Sequence, residues 1–181
     1  ALTSHDPMPE AAGLAEALGG PGEAAVDAAI EQLETMRVRE GQHLRTDLDA
    51  RKALLADLIL RIAAAADTGR VELEARLLER ARELAGALPI DQAALSQEVV
   101  RVAQRSDISE EVTRFHGHLG HWDALSDSPE PCGRKLDFLL QEMNREINTI
   151  GSKADGLQVS EVVIQAKAEM EKMREQVQNV E

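Results

Sequence analysis

From Glu23 to Ile62 the chain repeats apolar residues at steps of three and four: Val26, Ile30, Leu33, then Leu44, Leu48, Leu55, Ile59 and Ile62, with Arg37 standing in one apolar position. A spacing close to 3.5 residues is that of a long helix whose apolar stripe needs a facing helix. Gly41 is the only weak point inside it. Ala, Leu, Glu, Arg and Gln fill this and most later segments, and all are good helix formers. Aromatic residues make up 2% of the chain, namely Phe115, Trp122 and Phe138. So few aromatics, with no alternating apolar strand, exclude a compact β-sandwich. The expected class is all-α, with long helical hairpin or coiled-coil arms followed by a C-terminal helical bundle.

Residues 1–22 carry three prolines and several glycines and read as a flexible tail. The first helix is expected to end or bend near Asp67-Thr68-Gly69. A second, carrying Val71, Leu73, Leu77, Leu78, Ala81 and Leu84, would then fold back to complete a hairpin arm over 23–88. Pro89 separates the arm from a C-terminal helical domain, 89–181. There Asp91 caps a helix to about Gln104, and Ser106 or Asp107 caps the next, to about Leu125. SDSPEPCG is a loop, residues 134–153 form a helix, and ADGLQ leads into the last one. That helix carries Val159, Val163, Ala166, Met170, Met173, Val177 and Val180 on one seam and needs a partner.

Cys132 is the only cysteine, so neither an intrachain disulfide nor a thiolate zinc cage can form, and a reducing cytoplasm fits best. No run of about 18 apolar residues offers a membrane span. Lys and Arg number 20 against 33 Asp and Glu, a net charge of −13. Passive binding to nucleic acid usually needs a basic surface. Any such role here must rest on local cations or on metal ions.

Several polar residues interrupt the helical patterns. Asp107, Glu111, Arg114 and His118 form a stripe beside the apolar face Ile108, Val112, Phe115, Leu119 and Trp122. Gly117 and Gly120 lie in the same helix, where each costs about 1 kcal/mol relative to Ala unless a ligand or another backbone comes close. In the following helix Glu142, Glu146, Thr149 and Lys153 share the side away from Leu136, Leu140, Met143, Ile147 and Ile150, flanked by Arg145, Asn148 and Ser152. Glu142 and Glu146 are four apart, so their oxygens can converge on a hard divalent cation such as Mg²⁺ or Mn²⁺. Glu98 projects into an apolar stripe, where a carboxylate must be paired, metal-bound or protonated. The competing reading of each stripe is a solvated, salt-bridged face.

Three stretches carry a family resemblance: EVVRVAQRSDISEEVTRFHGH (98–118), GRKLDFLLQEMNREINTIGSK (133–153) and KMREQVQNVE (172–181). They resemble the C-terminal domain of the YicC-like endoribonucleases, and MRVREGQHLRTDL (36–48) is similar to the family's upstream signature. The resemblance implies an RNA-cleaving enzyme dependent on a divalent metal, with Mn²⁺ favoured and Mg²⁺ possible. It further implies a homo-oligomer, a hexamer built around the helical arms, acting on RNA and not on DNA or membranes. Family members begin with a further domain that opens near a Met-Thr-Gly-Phe motif not found here. Residues 1–35 are therefore expected to be the tail of that domain, and the chain a fragment.

Carried over by position, Glu98, Asp107, Glu111, Glu142 and Glu146 are the candidate metal ligands. His118, Glu142 and Glu146 are the candidate catalytic groups, and Arg114, Arg145, Asn148, Ser152 and Lys153 the candidate substrate contacts. Two chemistries stay open. One is hydrolysis by a metal-activated water; the other is attack by the ribose 2′-hydroxyl with His118 as general base. The rival class is a non-enzymatic helical assembly or adaptor protein.

Overall fold

The computed structural model describes residues 9–85, 92–154 and 157–180. Among them are five helices and no strand: α1 (Pro9–Ala85), α2 (Gln92–Arg105), α3 (Ser109–Ser126), α4 (Gly133–Lys153) and α5 (Leu157–Val177). The all-α class is as expected, and α2 to α5 lie close to their expected limits. Asp91, the expected cap of α2, lies outside the described residues.

Two features differ from expectation. Helix begins at Pro9, within the stretch read as a flexible tail, and α1 runs through Asp67-Thr68-Gly69 with no turn. A single glycine costs a helix about 1 kcal/mol, which neighbouring residues can offset. Here Arg70 Nη2 donates to Asp67 Oδ1 at 2.8 Å, and Thr68 Oγ1 donates to the Ala64 carbonyl at 3.0 Å, both along the helix. No proline lies near enough to force a stop. The two limbs of the expected hairpin are therefore one helix.

The chain divides into two compact units, Ala1–Arg45 and Thr46–Glu181. In the first, Val26, Ile30, Leu33, Met36 and Val38 stand exposed on α1. In the second, Leu48, Leu55, Leu58, Ile59 and Ile62 of the same helix are buried in one core with α3, α4 and α5. Helix α4 packs on both α3 and α5. Its Leu136, Leu139, Leu140, Met143, Ile147 and Ile150 repeat at helical spacing and fill the centre. Each such side chain contributes roughly 1.5–3 kcal/mol by leaving water. The seam expected on the last helix is also buried, from Val159 to Val177.

Ion pairs tie α1 to the bundle on two sides. Arg51 Nη1 reaches Glu169 Oε2 of α5 at 2.9 Å, and Lys52 pairs with Asp123 of α3. Hydrogen bonds from Lys172 and then from Arg51 hold the Glu169 carboxyl below its ordinary pKa. At the start of α4, Gly133 is buried where the chain's end returns: a side chain there would run into the Val180 carbonyl. Among the described residues no helix is long and apolar enough to cross a membrane.

Candidate active site between α3 and α4

Helices α3 and α4 are antiparallel neighbours joined by residues 127–132. Apolar residues of both face the core, which leaves their polar stripes side by side at the edge of the contact. The stripes enclose a cleft of about 510 Å³ lined by Glu111, Arg114 and His118 of α3 and by Glu142, Arg145 and Glu146 of α4, with Gly117 and Thr149 completing it. Two stripes read separately in the sequence thus form one concave surface.

Two of these carboxylates are buried, Glu111 at 4% and Glu146 at 6% exposure. Lys153 Nζ donates to Glu111 Oε1 at 2.7 Å and lies 3.3 Å from the Asp107 carbonyl oxygen. Glu111 Oε2 is buried and has no hydrogen-bond partner among the described residues. Leaving a buried carboxylate oxygen unsatisfied is costly. Glu146 Oε1 has Arg114 Nη1 at 3.8 Å, an ion pair too long for a hydrogen bond, while Arg114 also holds the exposed Glu110. At the rim the exposed Arg145 comes within 3.9 Å of Glu142 Oε2. Arg145 is only loosely engaged, and Arg114, though hydrogen-bonded to Glu110 through Nη2, keeps further donors for an anion.

Gly117 faces the cleft with nothing within 4 Å of where a side chain would begin, and Gly120 is equally open. Among the described residues no backbone comes close to either. At Gly117 the missing side chain widens the cleft instead.

Other expected residues lie elsewhere. Glu98 is exposed on α2 and paired with Arg101 at 3.0 Å, so the buried carboxylate read from its apolar neighbours is not found. Only its neighbour Val99 is buried there, and Glu98 stays in solvent. Asp107 stands one residue before Ile108, the N-cap of α3: its Oδ1 accepts the Ser109 backbone N–H, the first of the helix, at 2.9 Å, and hydrogen bonds with Ser109 lower its pKa. Ser152 Oγ donates to the Thr149 carbonyl, away from the cleft lining. Asn148 lies on the other flank of α4, in a groove against α5. Lys153, expected at a phosphate, has its ammonium on Glu111. The chain order did not point to Gly133 as a contact, since only the return of Val180 makes it one.

Among the described residues no three His, Cys, Asp or Glu side chains stand together as a ready-made metal site. The oxygen donors that line the cleft are the unsatisfied Glu111 Oε2, the buried Glu146 and, at the rim, Glu142, of the type that hard cations prefer.

Comparison with known proteins identifies the family. The family described as "Endoribonuclease YicC-like, C-terminal" matches residues 62–181, which include the whole cleft. Over 158 residues the chain is 40% identical to "Probable endoribonuclease YicC" of Clostridioides difficile, a match covering 87% of this chain and 54% of that protein. It is 33% identical over 164 residues to the protein of the same name from Haemophilus influenzae, again covering 87% and 54%. The chain therefore spans about half the length of these relatives. With two thirds of its length matched and the cleft within the match, the chain belongs to the YicC-like endoribonuclease family.

Proposed function

We propose that the α3/α4 cleft binds and cleaves phosphodiester bonds of RNA with the help of a divalent cation, Mn²⁺ in preference to Mg²⁺. The observation that carries this reading is Glu111: a buried carboxylate with one oxygen held by Lys153 and the other unsatisfied, beside a second buried carboxylate and two arginines with donors to spare. A cation bound by Glu111, Glu146 and Glu142 would offset phosphate charge and lower the pKa of an attacking water. Arg114 and Arg145 offer planar forks for the phosphate oxygens. Lys153 positions Glu111 and does not touch substrate. His118, half-buried in the cleft wall, is placed to take a proton from the nucleophile or give one to the leaving oxygen. Such a site reconciles an acidic chain with a polyanionic substrate, since a cation and two arginines invert the local charge.

The test is incubation of an end-labelled structured RNA with the chain in Mn²⁺ and in EDTA, followed by end-group analysis. Cleavage that needs the metal, leaves 5′-phosphates and proceeds beside a 2′-deoxy residue supports hydrolysis by water. Cyclic phosphates and no cutting beside 2′-deoxy residues would instead assign the attack to the 2′-hydroxyl with His118 as base. No cleavage in either condition by this chain or by a full-length relative would contradict the proposal.

A second reading has its own observation. Val26, Ile30 and Leu33 recur along α1 at coiled-coil spacing and are 50–58% exposed. This supports assembly between copies of the chain, with a hexamer as the proposed state. Light scattering of Ile30→Glu tests it: a fall in mass supports the assembly, and an unchanged mass contradicts it.

A further inference from the structure

The flank of α4 opposite the candidate active site carries a groove of its own, about 260 Å³ in volume, between α4 and α5. Over the buried Leu140 and Met170, the polar Gln141, Asn144 and Asn148 of α4 line it together with Lys167, Glu171 and Arg174 of α5. Asn144 and Asn148 sit in mid-helix, where asparagine is a weak helix former. Both are exposed, and among the described residues neither side-chain amide makes a hydrogen bond. Among the same residues Lys167 has no ion pair, while Arg174 Nε is 3.4 Å from Asp137 Oδ1. Amides held one helical turn apart, each offering donors and an acceptor, match the edges of nucleobases. The lone ammonium beside them matches a phosphate.

Resting on the reading of the α3/α4 cleft as an RNA-cleaving site, we infer that this α4/α5 groove is a second RNA subsite, which takes the nucleotides flanking the cut. The two grooves are separated only by the crest of α4, on which Arg145 and Phe138 stand exposed. A helix with its side chains is about 10 Å across. A strand held in the cleft therefore reaches the groove by crossing that crest, with Phe138 available to stack a base. The cleft acts on the backbone, and the asparagines supply a preference among sequences.

The test compares the chain with the double variant Asn144→Ala/Asn148→Ala, with Lys167→Glu, and with Arg80→Glu, which makes the same charge change on an exposed face of α1. Alanine is a better helix former than asparagine, so the double variant keeps its fold. Affinity for a labelled RNA is read by fluorescence anisotropy in EDTA, and cut positions are mapped at nucleotide resolution in Mn²⁺. The expected result is affinity lowered about 10-fold in the double variant and in Lys167→Glu, with redistributed cuts, and no change in Arg80→Glu. Unchanged affinity and an unchanged map, with cutting retained, overturn the subsite and leave the cleft as proposed. Weakened binding by a chain that never cuts overturns the cleft and leaves the subsite. Unchanged RNA binding together with loss of self-association in these variants would make the groove a protein contact and overturn the inference.

Discussion

Lys153 on α4 and Glu111 on α3 meet across the helix contact at 2.7 Å. Their pairing fixes one oxygen of a buried carboxylate and leaves the other, Glu111 Oε2, buried and unsatisfied at the cleft. Lys153→Met strips a buried charge of its partner, a loss of about 3–5 kcal/mol where both groups are fully desolvated. The Lys153 side chain keeps 35% exposure, so a loss of about 2 kcal/mol is expected in urea denaturation. Lys153→Met/Glu111→Gln should recover most of it, because the stranded charge is gone. A double variant less stable than Lys153→Met alone would show that the pair does not work this way.

Gly117 and Gly133 should respond in opposite ways to the same change. Gly117→Ala adds a methyl group into open space and removes the glycine penalty, so the melting temperature rises, by up to about 1 kcal/mol in stability. The same methyl narrows the cleft, and RNA cleavage should fall. Gly133→Ala drives a methyl into the Val180 carbonyl and should destabilise by about 1–3 kcal/mol. Calorimetry of the two variants settles the contrast, and equal shifts would contradict it.

Asp107 makes α3 sensitive to acid. Its folded pKa is lowered, first by the hydrogen bonds with Ser109 and then by the Lys153 and Arg70 charges. A lowered carboxylate contributes stability that is present above the unfolded value, about 3.9, and is lost as pH falls through the lowered folded value. Asp107→Ala should cost about 1 kcal/mol at neutral pH, as for a lost helix cap. That difference from the wild type should shrink as the pH is taken below about 4. A gap between the two melting curves that stays constant through the acid range would argue against the capping role.

The legible and illegible parts of the fold have physical causes. Helical period identified α2 to α5 and the core face of α4, because Leu136, Met143, Ile147 and Ile150 repeat with no competing pattern. No turn forms at Gly69 because a glycine is a modest cost in a helix, and Arg70 and Thr68 add local bonds along it. The polar stripes of α3 and α4, each visible in the sequence, line one cleft. A stripe does not say which of its edges faces a neighbour, so Asn148, three residues from Arg145, falls in a different groove. Glu98 shows the same limit: its apolar neighbours suggested burial, yet only Val99 of that turn enters a buried environment. Lys153 read as a phosphate contact because its partner lies 42 residues away, on another helix.

The most direct test of the account is single-turnover cleavage of RNA in Mn²⁺ by the wild type and by Glu111→Gln and Glu146→Gln, with the melting temperature of each measured in EDTA. The account predicts that both variants stay folded and lose about 100-fold or more in rate, as expected when a group acting directly in the chemistry is removed. Rates within about 2-fold of the wild type in both variants would contradict it.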